Sequence, residues 1–275
     1  MIEALAARVA VIVAGRSGRY GHFVIDLHTH ILSGLDDGAR SLQESISMAR
    51  AAVSDGVQMV AATPHVRADY PTRASDMERR VAELREALAA EEVPLEVRTG
   101  GEIALDRLAI LDGEELARFG LAANASYLLL EFPYYGLPLE LPSQVFELRG
   151  RGIGVVVAHP ERNPNIQVGP DRMHQLVDLG ALVQITSASV DGRLGRAARK
   201  TAFRLIELGL AHLIASDAHA PDVRAIGMKA AADAVGNPDL ARWLTAEVPA
   251  AIAAGDQIPE RPRSRRPRLG LRFWA

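Results

Sequence analysis

The residues able to do chemistry fall at a few places in the chain: Asp26-Leu27-His28-Thr29-His30, Thr63-Pro64-His65, Gly101-Glu102, Glu131, His159-Pro160-Glu161-Arg162 and Ser216-Asp217-Ala218-His219. In an extended chain residues i and i+2 share a side, so His28 with His30, and Asp217 with His219, each offer two donors to a common point. With Asp37, His65, Glu102, Glu131 and His159 the set reaches nine imidazole and carboxylate side chains. That is too many for one ion, because tetrahedral and octahedral ions take about four to six donors. Nine donors imply two or three ions with at least one bridging carboxylate. Such a mixture suits manganese, iron or zinc, and donor type alone does not choose among them.

Any one histidine at a strand end is an ordinary surface or core residue; the weight lies in their joint placement. His22, His174 and His212 sit alone and are read as structural. Asp36 reads as a loop acid. Asp26, on the opposite side from the His pair, reads as a group orienting an imidazole through its second nitrogen. Tyr134 and Tyr135 read as rim packing, with pocket lining as the alternative.

The rest of the composition limits the chemistry further. The chain has 275 residues, no cysteine, 31 basic and 34 acidic side chains, 48% hydrophobic and 24% charged residues. It therefore has no disulfide framework, iron–sulfur cluster or cysteine nucleophile. No uncharged apolar stretch approaches the roughly 20 residues of a membrane span. Residues 260–275 carry a net charge of +5 and the remainder −8, and an acidic body repels nucleic-acid backbones. The Arg-rich segment 256–275, with Pro262, Pro267 and Gly270, is expected to be disordered, an acidic partner or anionic membrane surface being the lesser reading. Residues 1–23 make a poor secretion signal and are expected to form a loosely ordered leader or to lie outside the core. This leaves a 24–255 domain and a cytoplasmic protein.

Short apolar runs at 24–27, 57–62, 95–97, 127–130, 154–158, 182–185 and 212–215 read as seven buried strands. Between most of them lie helical patterns. At 41–55 Ser41 with Glu44 fits a capping box, and Ser75 with Glu78 opens the next helix in the same way. Further helices are expected at about 139–149, 171–179, 197–208 and 223–234. Alternating strands and helices require a parallel sheet covered by helices, doubly wound or closed as a barrel. No Gly-rich nucleotide fingerprint follows the first strand. Six of the seven strands finish in a histidine or a carboxylate, and in a parallel barrel those ends converge on one face.

The Asp-x-His-x-His opening and its Gly34-Leu35-Asp36-Asp37-Gly38 loop resemble the PHP (polymerase and histidinol phosphatase) superfamily, and within it the CpsB/YwqE-type metal-dependent protein-tyrosine phosphatases. The likeness continues through Ala62-Thr63-Pro64-His65, Gly101-Glu102-Ile103, Leu130-Glu131-Phe132-Pro133, Ala158-His159-Pro160-Glu161-Arg162 and Ala215-Ser216-Asp217-Ala218-His219, covering about residues 24–255. It implies a distorted seven-stranded (β/α) barrel of the PHP type with three ions, usually manganese. One ion would use His28, His30, Glu102 and Asp217. Glu102 would bridge to a second, held also by Glu131 and His159. Asp37, His65 and His219 would hold a third. Arg162 and Arg224 match arginines that hold substrate phosphate.

The implied activity is protein-tyrosine phosphatase, acting on a phosphotyrosine protein such as a bacterial tyrosine kinase tail in capsule or exopolysaccharide synthesis. A homo-oligomer is compatible with it. The alternatives are another PHP phosphoesterase, with histidinol phosphate or a nucleotide as substrate, and a non-catalytic metal-binding regulatory module. The lack of cysteine agrees with metal-assisted hydrolysis, which needs no covalent protein nucleophile.

Overall fold

A computed structural model describes residues 23–220 and 224–263. The expected leader as far as His22, the start of the expected helix at Val223, and the expected tail from residue 264 lie outside the described residues. Nine strand segments occur among the described residues: β1 (Val24–Thr29), β2 (Val57–Ala62), β3 (His65–Val66), β4 (Glu96–Thr99), β5 (Glu102–Ala104), β6 (Tyr127–Glu131), β7 (Gly154–Val157), β8 (Leu182–Thr186) and β9 (Leu213–Ala215). The ladders between them are parallel, in the orders β1-β2-β4 and β3-β5-β6-β7-β8-β9.

The nine segments arise from the seven expected runs because two carry on past a break. Between β2 and β3 the chain passes Thr63-Pro64, where Pro64 has no N–H to give to a ladder. Thr63 turns instead to β1: its N–H donates to the Thr29 carbonyl (2.8 Å), and its Oγ1 accepts from the Thr29 N–H (3.0 Å). Between β4 and β5 lie Gly100 and Gly101. A Cβ at Gly101 would stand 2.7 Å from the Phe119 ring, closer than carbon atoms approach, so the aromatic packs where a side chain would be. Past these breaks β3 and β5 pair with His65 opposite Glu102. Two predicted site residues thereby become neighbours through backbone register alone.

The sheet curls, and its two ends approach. Asp217 N–H donates to the His28 carbonyl and His30 N–H to the Ala218 carbonyl, both at 2.8 Å. β1, β7 and β9 are buried along their whole length, as expected of parallel strands covered on both faces.

The covering helices are α1 (Leu42–Ser54), α2 (Ala74–Ala90), α3 (Gly113–Arg118), α4 (Leu141–Gly150), α5 (Pro164–Val168), α6 (His174–Asp178), α7 (Ser187–Asp191), α8 (Gly195–Glu207), α9 (Met228–Val235), α10 (Pro238–Arg242) and α11 (Val248–Ala254). Ser41 caps α1 by accepting from Glu44 N–H (3.3 Å). Glu44 reaches one residue further back than a capping box requires, to Arg40 N–H (2.7 Å). The second expected capping box is absent. α2 starts before Ser75, its N-cap Arg73 makes no side-chain cap bond, and Glu78 pairs instead with Arg118 (2.6 Å). The expected helix at 171–179 is split into a 3-10 turn and α6, and α9 starts only at Met228. Among the described residues no helix is long and apolar enough to cross a membrane.

Part of the expected tail, residues 256–263, is described. There the Trp243 indole donates to Pro259 O (2.9 Å), and Arg261 donates to Ile206 O (2.6 Å) and Ala211 O (3.2 Å).

Candidate active site

The nine predicted donors lie at or beyond the C-terminal ends of β1, β6, β7 and β9, or, for His65 and Glu102, at the first residues of β3 and β5 just past the ends of β2 and β4, and all of them except His159 fall in overlapping groups. His28, His30, Glu102 and Asp217 form one, His30, Asp37, His65 and His219 another, and His65, Glu102 and Glu131 a third. Within the first, His28 Nε2 and His30 Nε2 are 3.2 Å apart. Each lies 3.3–3.4 Å from Glu102 Oε2 and from Asp217 Oδ1. In the second, Asp37 Oδ1 is 3.4 Å from His65 Nε2 and 3.2 Å from His219 Nε2. His159 Nε2 meets Glu102 Oε1 at 2.7 Å and Glu131 Oε1 at 3.9 Å, so Glu102 touches both flanks of the cluster.

Two of these residues hold a left-handed backbone that side chains other than glycine seldom adopt: His159 (φ 34°) and Asp217 (φ 51°). Such conformations cost about 1–3 kcal/mol and persist where the surroundings impose them. At Asp217 the surroundings include the hydrogen bond from its N–H to β1.

The imidazoles are oriented from behind. His30 Nδ1 meets Asp36 Oδ2 at 2.7 Å, His28 Nδ1 meets Gln184 Oε1 at 3.1 Å, and His219 Nδ1 donates to the Asp217 carbonyl at 2.9 Å. Asp36 is thus the orienting acid, and its Oδ2 also accepts from His65 N–H (2.9 Å). Asp26 does not have the imidazole-orienting role expected of it. Its Oδ1 accepts from the backbone N–H groups of Ser216 (2.9 Å) and His28 (3.3 Å), tying the strand that carries one motif to the strand that carries another. Burial pushes its carboxyl up to about 6 against the pull of Ser216. Glu161, also fully buried, accepts from Thr186 N–H (2.8 Å) and Ser189 Oγ (2.7 Å).

Charge in the cluster is strongly coupled. Burial alone would push the Glu102 and Asp217 carboxyls up. His28, with His159 against Glu102 and His30 against Asp217, instead holds both well below the usual carboxylate range. The same burial disfavours charged imidazoles, yet Glu102 and Asp217 raise His28, and Asp36 chiefly raises His30. Asp37 and Glu102 lift His65 to about 9. Burial followed by Arg162 pushes His159 down to about 4, and burial followed by Glu102 pushes Glu131 up to about 7. The acids therefore demand positive charge in their midst, which protons on imidazole supply when nothing else does.

Four donor atoms test whether metal ions suit this place. Glu102 Oε2, Asp217 Oδ1, His65 Nδ1 and His219 Nε2 are buried and make no well-aligned hydrogen bond; the groups nearest them belong to the cluster itself, His65 Nδ1 facing Glu102 Oε2 at 2.8 Å and His219 Nε2 facing Asp37 Oδ1 at 3.2 Å. Buried polar atoms left unpaired are costly and uncommon, and here all four are lone-pair donors of the type that divalent cations accept. The residues fit.

Arg162 and Arg224 both reach Asp217 Oδ2, Arg224 at 2.6 Å. Arg67, which sequence reasoning missed, has Nη1 3.5 Å from Glu131 Oε2. Its guanidinium lies 5.2 Å from the centre of the Tyr70 ring, which in turn stacks on His65. Its spacing of two from His65 was the available signal. Of the histidines read as structural, His174 is exposed on α6, and His212 accepts from Val183 N–H (3.2 Å), away from the cluster.

Fold and cluster together define an α/β protein whose strand ends gather side chains that could hold metal ions. The chain belongs to the capsular polysaccharide synthesis family CpsB/CapC, whose family model matches residues 24–240. It is 38% identical over 199 residues to the tyrosine-protein phosphatase YwqE of Bacillus subtilis strain 168, spanning 71% of this chain and 77% of that protein. It is 28% identical over 220 residues to the tyrosine-protein phosphatase CpsB of Streptococcus pneumoniae, spanning 77% and 89%. Among solved structures, it resembles one from a study of YwqE and CpsB as unique metal-dependent tyrosine phosphatases. The TM-score is 0.79 and the identity 32%, over 88% of this chain and all of the other.

Proposed function

We propose that this protein is a metal-dependent phosphomonoesterase that hydrolyses phosphotyrosine on a protein, the natural substrate being the tail of a bacterial tyrosine kinase that governs capsule or exopolysaccharide synthesis. The observation that carries the reading is the convergence of buried imidazole and carboxylate donors with two arginines on one carboxylate. The relatives named above support it. The architecture is the seven-stranded PHP barrel, with β2 and β3, and β4 and β5, each counted as one interrupted strand. The site of action is the cytoplasm.

His28, His30, Glu102 and Asp217 would hold one ion, Glu102, Glu131 and His159 a second, and Asp37, His65 and His219 a third. His30 falls in two donor groups, but Asp36 engages its Nδ1. That leaves Nε2 for a single ion, on the side of Glu102 and Asp217. Manganese is the expected ion, with iron or zinc compatible with the same donors. When bound, such ions supply Lewis acidity, which acidifies water near neutral pH and offsets phosphoryl charge.

The chain's own groups do the rest. Arg162 and Arg224 grip the non-bridging phosphoryl oxygens through charge-assisted forks. His159, kept neutral by burial and Arg162, has a lone pair to give at physiological pH. Asp26 and Asp36 fix the strands and rings that aim these donors. The leaving phenolate, with a pKa of about 10, departs without a strong general acid.

The test is phosphate release from a phosphotyrosine peptide by the full chain, chelated and then reloaded with manganese. Release restored by the ion is expected; inertness of the loaded protein rejects the reading.

A further inference from the structure

The arginines and ions proposed above account for the phosphate but not for the ring of phosphotyrosine, and the structure has a feature placed to meet it. The loop after β6, Pro133-Tyr134-Tyr135-Gly136, carries two aromatic rings that stay in water: Tyr134 is 54% exposed and Tyr135 76%. The backbone beneath them is tightly held. Buried Asn163, next to Arg162, donates through Nδ2 to Pro133 O (3.1 Å) and Gly136 O (2.8 Å), bracketing the two tyrosines. Gly136 N–H donates to Asn165 Oδ1 (3.1 Å), and Gly136 takes the left-handed turn at φ 84°. Tyr135 meets Tyr134 edge to face, with ring centres 5.0 Å apart at 79°. Tyr134 shares a cleft with Glu131, His159 and Arg162.

A loop fixed by three hydrogen bonds while presenting exposed rings beside a phosphate-holding arginine is arranged for an apolar ligand group. In an aryl phosphate one oxygen separates ring from phosphorus, so a phosphoryl group held by Arg162 puts its ring within reach of this cleft. We propose that Tyr134, braced by Tyr135 and anchored through Asn163, is the specificity-determining wall for the phenyl ring of the substrate, favouring aryl over alkyl phosphates. This rests on the phosphatase reading. Tyr134 acts through its ring face, since aromatic pairs in offset or edge-to-face contact gain free energy beyond their buried area. Its hydroxyl is not required.

Calorimetric binding of phenylphosphonate and methylphosphonate to the manganese-loaded full chain tests the wall, alongside turnover of a phosphotyrosine peptide. Both ligands carry the same anionic head and differ in the ring. The wild type is expected to prefer phenylphosphonate by about tenfold. Tyr134→Ala should bring the ratio close to one and raise KM for the peptide with kcat within about twofold, whereas Tyr134→Phe keeps the preference. An unchanged ratio in Tyr134→Ala, or no preference in a wild type that cleaves the peptide, overturns the ring wall and leaves the phosphatase standing. A wild type inert toward the peptide overturns the phosphatase reading and the wall with it.

Discussion

The two sides of the site differ in how they are built. Around the ends of β1 and β9, His28, His30, Glu102 and Asp217 are sealed from solvent. His28 and His30 are held from behind by Gln184 and Asp36, and Asp26 ties the strands together. On the other side Asp37 and Glu131 keep 41% and 20% of their side chains exposed, and Arg162 and the tyrosine loop border a cleft. On the proposed reading, the first side has the rigidity that retaining ions would need, and the second the access that exchanging reactants would need. Damage to the first should appear as lost metal and damage to the second as weakened capture.

The largest expected effect comes where the two sides join. Asp217→Ala removes a proposed ion donor and the anchor of both arginines, and turnover should fall on the order of a thousandfold or more, with reduced metal content by elemental analysis and a folded chain by circular dichroism. Wild-type rates in this variant would show the site to be elsewhere. Asp36→Asn keeps the shape of the loop but loses the charge behind His30, and should weaken metal affinity by about 10–100-fold in chelator competition. On the open side, Arg162→Ala should raise KM by about 10–100-fold, the worth of a charge-assisted hydrogen bond, while metal content stays at the wild-type level.

Away from both sides, His212 gives the smallest effect. Burial, with Arg261 adding to it, pushes His212 from 6.5 down to about 4, so the folded state resists a proton that the unfolded state accepts. Stability is therefore lost as pH falls from about 6.5 toward 4, by up to about 3 kcal/mol. Urea midpoints at pH 7 and pH 5 should diverge less in His212→Asn, whose amide oxygen can replace the ring nitrogen as acceptor. An identical divergence would remove His212 from the account.

The gathering of these side chains was legible because all but Asp37, which lies in the loop after β1, stand at or soon after the end of an apolar run, and parallel strands deliver their ends to one face. The hydrogen bonds that orient them were not. Gln184 looks like a lone polar residue inside a strand, and Asp36 like the lesser of two adjacent loop acids; only the path of the 31–40 loop turns Asp36 under His30. That path depends on Gly38, where a Cβ would collide with the His30 carbonyl. Strand interruptions were equally hidden, since Thr63-Pro64 and Gly100-Gly101 break ladders through partners distant in sequence. The helix at 74–90 shows local pattern overridden: Ser75 and Glu78 have capping-box spacing, but Glu78 pairs with Arg118 from α3.

One oxygen of Asp217 receives both Arg162 and Arg224. If the two arginines hold substrate phosphate as proposed, that oxygen stands where a phosphoryl oxygen would and draws the two guanidinium groups together. An arriving dianion has to compete with this resident acid, so hydrolysis should favour ligands that offer more than one oxygen at once. Chloride, a single-point anion with one charge, would be a poor rival for the site.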